Sequence, residues 1–320
     1  MNIRPGFGRV LVLFTVYGSL FTVFSSPFTA AGNAQGPVEA ISLLGDSLRR
    51  PVLPPEAEAR LAAQLREAES DLSHRPGNAD GIIWVGRRTA YLGRYTEAIA
   101  IYSTGLARHP GDARLYRHRG HRYLTTRQID RAIADLLYGA RLVRGRPDEV
   151  EPDGQPNARN IPTSTLQSNI WYHLGLGYYV RGDFRRALAS YRECLAVSRN
   201  ADMQVATRYW LYMTLRRMGL SGPAREVLQP VTRSMDIIEN GAYHRLLLLF
   251  KGELAADSLT GSGEDRALQD ATTGYGLGNW HYLNGRRDEA RRIWRRVIET
   301  GPWASFGYLA AEAELSRSKD

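Results

Sequence analysis

The sequence predicts an all-α protein, a solenoid of stacked helix–turn–helix pairs closed by helical caps, on the strength of three recurrences. A glycine and an alanine stand twelve residues apart four times, at Gly86/Ala98, Gly120/Ala132, Gly175/Ala187 and Gly278/Ala290. The first two of these pairs are offset by 34 residues, as are Pro76 and Pro110. A helix-breaking glycine precedes the alanine by five at Gly93, Gly182, Gly219 and Gly285, with Arg127 the exception. One helical hairpin cannot bury its apolar stripe alone, so a period of this length implies stacking of neighbours.

Residues 1–34 read as a secretory signal. Arg4 and Arg9 precede an apolar run from Val10 to Phe24, small residues follow at Ala30, Ala31 and Gly32-Asn33-Ala34, and no acid occurs before Glu39. The run is shorter than the ~20 residues a membrane-spanning helix needs. A cut after Ala31 or Ala34 fits, and an uncleaved anchor is the alternative. An N-terminal segment, 35–78, then carries one amphipathic helix, Glu56–Ser73. Clear helix pairs follow at 79–110, 113–144, 168–199 and 271–302, and divergent ones at 202–231 and 236–268. In the last of these Ile237–Glu253 is the first helix and Thr260-Gly-Ser-Gly263 cuts the second short. Ala304–Ser316 reads as a capping helix within a tail of 303–320.

Small residues are expected where paired helices approach, glycine on the first and alanine on the second. Tyr102, Tyr191 and Trp294, four after the alanine, are expected to fill the groove against the next pair, and Pro76, Pro110 and Pro302 to stop the second helix. Between Gly120 and Gly175 the period is broken by an insertion, 145–167. It contains Pro147, Pro152, Pro156 and Pro162 with Asp148, Glu149, Glu151 and Asp153. Four prolines exclude a helix, and the segment is either a surface insertion or a loop that binds something or packs over the groove.

The motif Asn169-Ile-Trp-Tyr-His-Leu-Gly175-Leu-Gly-Tyr-Tyr-Val-Arg-Gly182-Asp-Phe184-Arg-Arg-Ala187, followed by Tyr191, resembles the tetratricopeptide repeat. So does Leu277-Gly278 through Gly285, Glu289-Ala290, Trp294 and Pro302. The resemblance extends over about residues 55–316. It implies a right-handed superhelix whose first helices line a concave, peptide-binding surface. Carried over by register, the groove candidates are Asp80, Ile83, Arg87, Arg114, Arg117, His121, Asn169, Tyr172, Tyr179, Tyr209, Arg216, Arg217, Tyr275, Asn279 and Tyr282. Arginine and tyrosine are enriched at binding hot spots, and arginine grips carboxylates in bidentate fashion, which points to an acidic or C-terminal partner segment. The lysine-containing carboxylate clamp of the chaperone-binding members is not reproduced, since the candidate set holds no lysine.

Composition narrows the classes. The chain has 320 residues, 43% of them hydrophobic and 23% charged, which suits a folded core rather than a disordered chain. Its net charge is +9, and lysine occurs only at Lys251 and Lys319. One cysteine, Cys194, excludes an intramolecular disulfide and any cysteine-rich metal site; its register makes it a buried structural thiol. His118 and His121 share a helix face, but Arg117, Arg119 and Arg122 would repel a cation, so they read as surface or groove histidines rather than metal ligands. There is no phosphate loop, nucleophile elbow or His-Glu-x-x-His.

The expectation is therefore a noncatalytic, cofactor-free scaffold of the cell envelope that takes a partner segment in its groove and does not bind nucleic acid. Two alternatives stay open. One is an enzyme with a groove-built site. The other is a peripheral membrane protein using Arg286, Arg287, Arg291, Arg292, Arg295 and Arg296, which share an outer face of the last pair.

Overall fold

A computed structural model describes residues 36–259 and 266–317; the signal-like segment 1–34 lies outside the described residues. The described chain opens with a short antiparallel ribbon, β1 (Val38–Ile41) and β2 (Ser47–Arg49). The Ser42 hydroxyl accepts the amides of Leu44 and Asp46, and Gly45 takes a positive φ, which closes the turn. This ribbon is an addition to the all-α expectation. Ala40 and Leu48 turn inward, and the buried Glu39 carboxylate accepts from the Thr96 amide and pairs with Arg50 at 2.7 Å.

Helix α1 (Pro55–His74) packs on the first pair through Leu61, Leu65 and Ala68. The pairs are α2 (Ala79–Tyr91) with α3 (Tyr95–Arg108), α4 (Ala113–Thr125) with α5 (Ile129–Val143), α6 (Leu166–Arg181) with α7 (Phe184–Val197), and α8 (Ala201–Arg217) with α9 (Ser221–Leu228). Then come α10 (Gly241–Lys251) and a 3-10 turn at Ala256–Leu259, the pair α11 (Arg266–Leu283) and α12 (Arg287–Thr300), and a terminal helix α13 (Phe306–Arg317). The result is an all-α solenoid of stacked helix pairs.

Starts are set by side-chain caps: Asn78, Asp112, Asp183 and Asn200 each accept an amide of the first turn, and Thr165 forms a capping box with Ser168. Turns within pairs require left-handed backbone, supplied by Gly93, Gly182, Gly219 and Gly285; Arg127 adopts it too, at φ 60°. Helix α10 begins later than the predicted Ile237. The buried Asp202 carboxylate accepts the amides of Ile238, Glu239 and Asn240 and holds them out of the helix.

The repeated first-helix glycines serve a different contact from the one expected. A Cβ at Gly86 would collide with the Tyr102 ring, at Gly175 with Tyr191, and at Gly278 with Trp294. Gly120 faces Leu136 in the same way. Glycine thus seats a large side chain of its own pair, sixteen residues on, and only at Gly120 does the Ala132 carbonyl also come close, 3.5 Å from where a Cβ would sit. The divergent α8 is largely core, with Tyr209, Trp210, Tyr212 and Met213 all buried. Its buried Thr207 and Thr214 return their hydroxyls to the Met203 and Trp210 carbonyls, which satisfies both groups within the helix.

First helices touch from unit to unit (α2 with α4, α4 with α6, α6 with α8), which makes theirs the inner, concave side. Helix α13 folds back across that side. Its Phe306 ring meets His121, His173 and Tyr172, Glu314 pairs with Arg217 at 2.6 Å, and Arg317 donates to the Val180 carbonyl. Trp303 reaches the first pair, edge-on to Tyr95 at 5.3 Å, and donates its indole N–H to the Arg49 carbonyl. No helix among the described residues is long and apolar enough to cross a membrane.

Candidate partner-binding groove

The concave surface is divided between two occupants drawn from the chain itself. Helix α13 fills the end formed by the C-termini of α4, α6 and α8. The proline-rich insertion crosses the other end, over α2 and the first turns of α4 and α6.

The insertion runs extended. Val150 bridges Thr165 in antiparallel fashion, the Glu151 amide donates to the Ser164 carbonyl and the Leu166 amide to that of Glu149. Its acidic stretch lies against arginines. Glu151 pairs with Arg117 at 2.9 Å, both side chains about nine-tenths buried, and accepts from Asn169 Nδ2 at 3.0 Å. Arg87 donates to the Pro152 carbonyl at 2.8 Å and Arg88 to that of Gly154 at 2.6 Å. Both guanidiniums stack on Trp84, 4.6 and 5.0 Å from the ring centre. Beyond the crossing, Arg159 pairs with Asp236, and Asn157 and Thr163 donate to Glu239, tying the insertion to the segment before α10.

Between this strap and the first helices remains a cleft of about 280 Å³, lined among others by Asp80, Ile83, Trp84, Arg87, Arg114, His118, Val150 and Pro152. Arg114 is held by Asp112 at 2.7 Å and Asp80 at 2.5 Å, and the Asp112 hydrogen bonds lift the guanidinium pKa further above its ordinary value. Burial lowers that of Arg117, with Glu151 opposing. Burial and the neighbouring cations hold His118, His121 and His173 neutral, well below the ordinary imidazole range.

The candidates therefore separate into three groups. Asp80, Ile83, Arg87, Arg114, Arg117 and Asn169 surround the cleft or grip the strap. His121, Arg216, Arg217 and Tyr282 belong to the other end: His121 stacks on His173 and Phe306, Arg217 pairs with Glu314, Arg216 donates to the Leu283 carbonyl, and Tyr282 packs on Trp294. Tyr172, Tyr179, Tyr209, Tyr275 and Asn279 are buried, which corrects their expected exposure. Tyr172 accepts from the Trp210 indole and donates to Tyr243, while Tyr179 accepts from both Tyr275 and Asn279. They are core because neighbouring first helices and α13 cover them.

Sequence reasoning missed Trp84 and Arg88 as groove residues. The Trp84-x-x-Arg87-Arg88 spacing, which stacks cations on an indole one helical turn away, was the available signal. Cys194 is fully buried and contacts Thr207 Oγ1 at 3.1 Å, and burial pushes its thiol up to about 12. Arg286, Arg287, Arg292, Arg295 and Arg296 are exposed and Arg291 half-buried, with Arg292 paired to Glu289 and Arg291 to Asp288. No group of three His, Cys, Asp or Glu side chains among the described residues is placed to hold a metal.

A family model, the tetratricopeptide repeat, matches residues 271–301, the α11–α12 pair. The chain's other pairs follow the same helix–turn–helix plan. Its fold is similar to YrrB, described as "a TPR protein with an unusual peptide-binding site", at 14% identity and a TM-score of 0.41, over 78% of this chain and 97% of that one. It is likewise similar to a tetratricopeptide repeat protein from Parabacteroides merdae, at 13% identity and a TM-score of 0.46, over 81% and 93%. No curated protein matches the sequence.

Proposed function

We propose that this protein is a noncatalytic interaction scaffold of the cell envelope that holds an extended, acidic partner segment against α2 and α4. One observation carries the reading: the arginines of the first helices already grip an extended acidic stretch, the chain's own, through one carboxylate and two backbone carbonyls. The order of basic, apolar and small residues in 1–34 supports export.

The test is capture from envelope extract by the purified chain, compared with an Arg87→Glu/Arg114→Glu double variant. Tyr172 is unsuitable as a probe because it is core. The expected result is one or more proteins retained by wild type and lost by the variant, with the helical circular dichroism unchanged. Equal retention by both would sink the groove assignment.

A second reading rests on the exposed arginines of α12. It places that face against an anionic membrane. Vesicles containing phosphatidylserine, bound at low salt and released at high salt or on neutralising Arg292, Arg295 and Arg296, would support it; absence of binding at low salt would end it.

A further inference from the structure

We infer that the stretch Asp148–Gly154 is a built-in substitute for the partner segment, defining the register in which that segment binds and competing with it for the groove. This rests on the groove reading above and adds the chemistry of the ligand: an extended peptide with a carboxylate side chain at the Arg117 position, followed by backbone carbonyls at Arg87 and Arg88.

Three observations carry it. The first is the division of labour among the arginines. Arg117 meets a side-chain carboxylate, whereas Arg87 and Arg88 meet main-chain carbonyls one and three residues later. Of these three arginines, Arg117 alone therefore reads side-chain chemistry. A buried guanidinium without a counter-charge is strongly disfavoured, so that position demands an acid.

The second is a fit that is close at one point and incomplete at others. Gly154 is buried, and a Cβ there would collide with the Tyr91 hydroxyl and approach Arg87, so the strap's backbone lies directly on α2. Yet Arg117 Nε and Asp153 Oδ2, both buried, have no hydrogen-bond partner. A partner that pairs with Arg117 Nε, and by displacing the strap returns Asp153 to water, outcompetes it, because an unpaired buried polar atom is expensive.

The third is how the strap is anchored. It belongs to no helix and contains four prolines between Pro147 and Pro162. At its far end the Arg159–Asp236 pair is exposed, with side chains 48% and 72% accessible. Such pairs contribute little and are readily given up. The cleft of about 280 Å³ beside Val150 and Pro152 is where an incoming chain first gains contact with Trp84 and Arg87.

The experiment uses the full chain and a labelled peptide with the sequence Pro147–Pro156, alongside a counterpart whose four acids are replaced by Gln or Asn. Binding is read by fluorescence anisotropy for wild type, Glu151→Gln and Gly154→Val, with circular dichroism confirming that each is folded. Glu151→Gln removes the one carboxylate that the strap sets against Arg117. Gly154→Val pushes its backbone off α2 without altering any groove arginine.

Both variants are expected to bind the acidic peptide about tenfold or more tightly than wild type, since freeing the groove raises the competent fraction. The neutral peptide should bind neither, and adding Arg117→Ala to Gly154→Val should abolish binding. In wild type, saturating peptide should speed hydrogen exchange at the Glu151 and Leu166 amides. Equal affinity for wild type and both variants, or no binding to either, overturns the inference. If that happens while envelope capture still depends on Arg87 and Arg114, the groove reading stands and only the competition falls. Capture that fails while the opened variants take the peptide gives the converse.

Discussion

Arg127 Nε donates to Glu312 at 2.9 Å, joining the turn of the second helix pair to the terminal helix 185 residues later. Both side chains are buried, 3% and 0% exposed, and the guanidinium also donates to the Thr125 and Trp303 carbonyls. Arg127 is the one pair-turn residue that breaks the glycine rule, and it holds a φ of 60°. A left-handed conformation in a non-glycine residue costs on the order of 1–2 kcal/mol, so this contact offsets a local strain.

Removing one partner leaves the other charge buried. Arg127→Ala is expected to lower unfolding free energy by about 3–5 kcal/mol, measured by urea titration. Arg127→Gly should recover about 1 kcal/mol of that, because glycine accepts the turn without strain. Equal losses for the two would show that the backbone conformation contributes nothing.

The glycines beneath aromatic rings give a different signature. Gly175→Ala should cost about 1–3 kcal/mol through overpacking against Tyr191, although alanine favours helix. A second comparison fixes the cause: Gly175→Ala with Tyr191→Leu should lose less than the sum of the two single changes, since the smaller side chain makes room. Strict additivity would refute the ring-seating account.

Acid sensitivity follows from the histidines. His118, His121 and His173 have folded pKa values depressed well below 6.5, by burial first and then by Arg117 or Arg122. Below about pH 6.5 the unfolded chain binds protons there that the folded chain does not. Stability is thus fully present above that pH and falls as pH drops, by up to ~1.4 kcal/mol per unit for each histidine. Urea midpoints at pH 7.5 and 5.5 measure the slope, and His173→Gln should reduce it. A slope unchanged in that variant would remove His173 from the account.

Cys194 should resist thiol reagents in the native state, because burial keeps it protonated with its pKa pushed up to about 12. Labelling with a chromogenic disulfide is expected only after denaturant is added. Prompt labelling of folded protein would contradict the packing around Thr207.

The helix pairs were legible in the sequence because most carry local markers: a glycine at the turn, with Arg127 the exception, an alanine five later, and in three pairs an aromatic four beyond it. Those signals act within about forty residues. The groove's occupants act over far longer separations, and no period marks them. Whether Tyr179 faces solvent or Tyr275 depends on what α11 and α13 place over it, ninety-six residues away in the first case. Glu151 reads as a solvated loop acid until Arg117 is set opposite it. Even Arg127, visible as a departure from the glycine pattern, acquires its reason only when Glu312 arrives. The N-terminal ribbon escaped notice because two strands of four and three residues carry too little alternation to register.

The contact of Trp303 with Tyr95 and Arg49 has a mechanical consequence. An open array of helix pairs behaves as a spring: it can lengthen its pitch under load, and its end pairs can melt independently of the middle. Here the last turns are latched onto the first, so no terminal pair can open without breaking contacts at both extremities. The array is therefore expected to unfold in one cooperative step instead of peeling from either end.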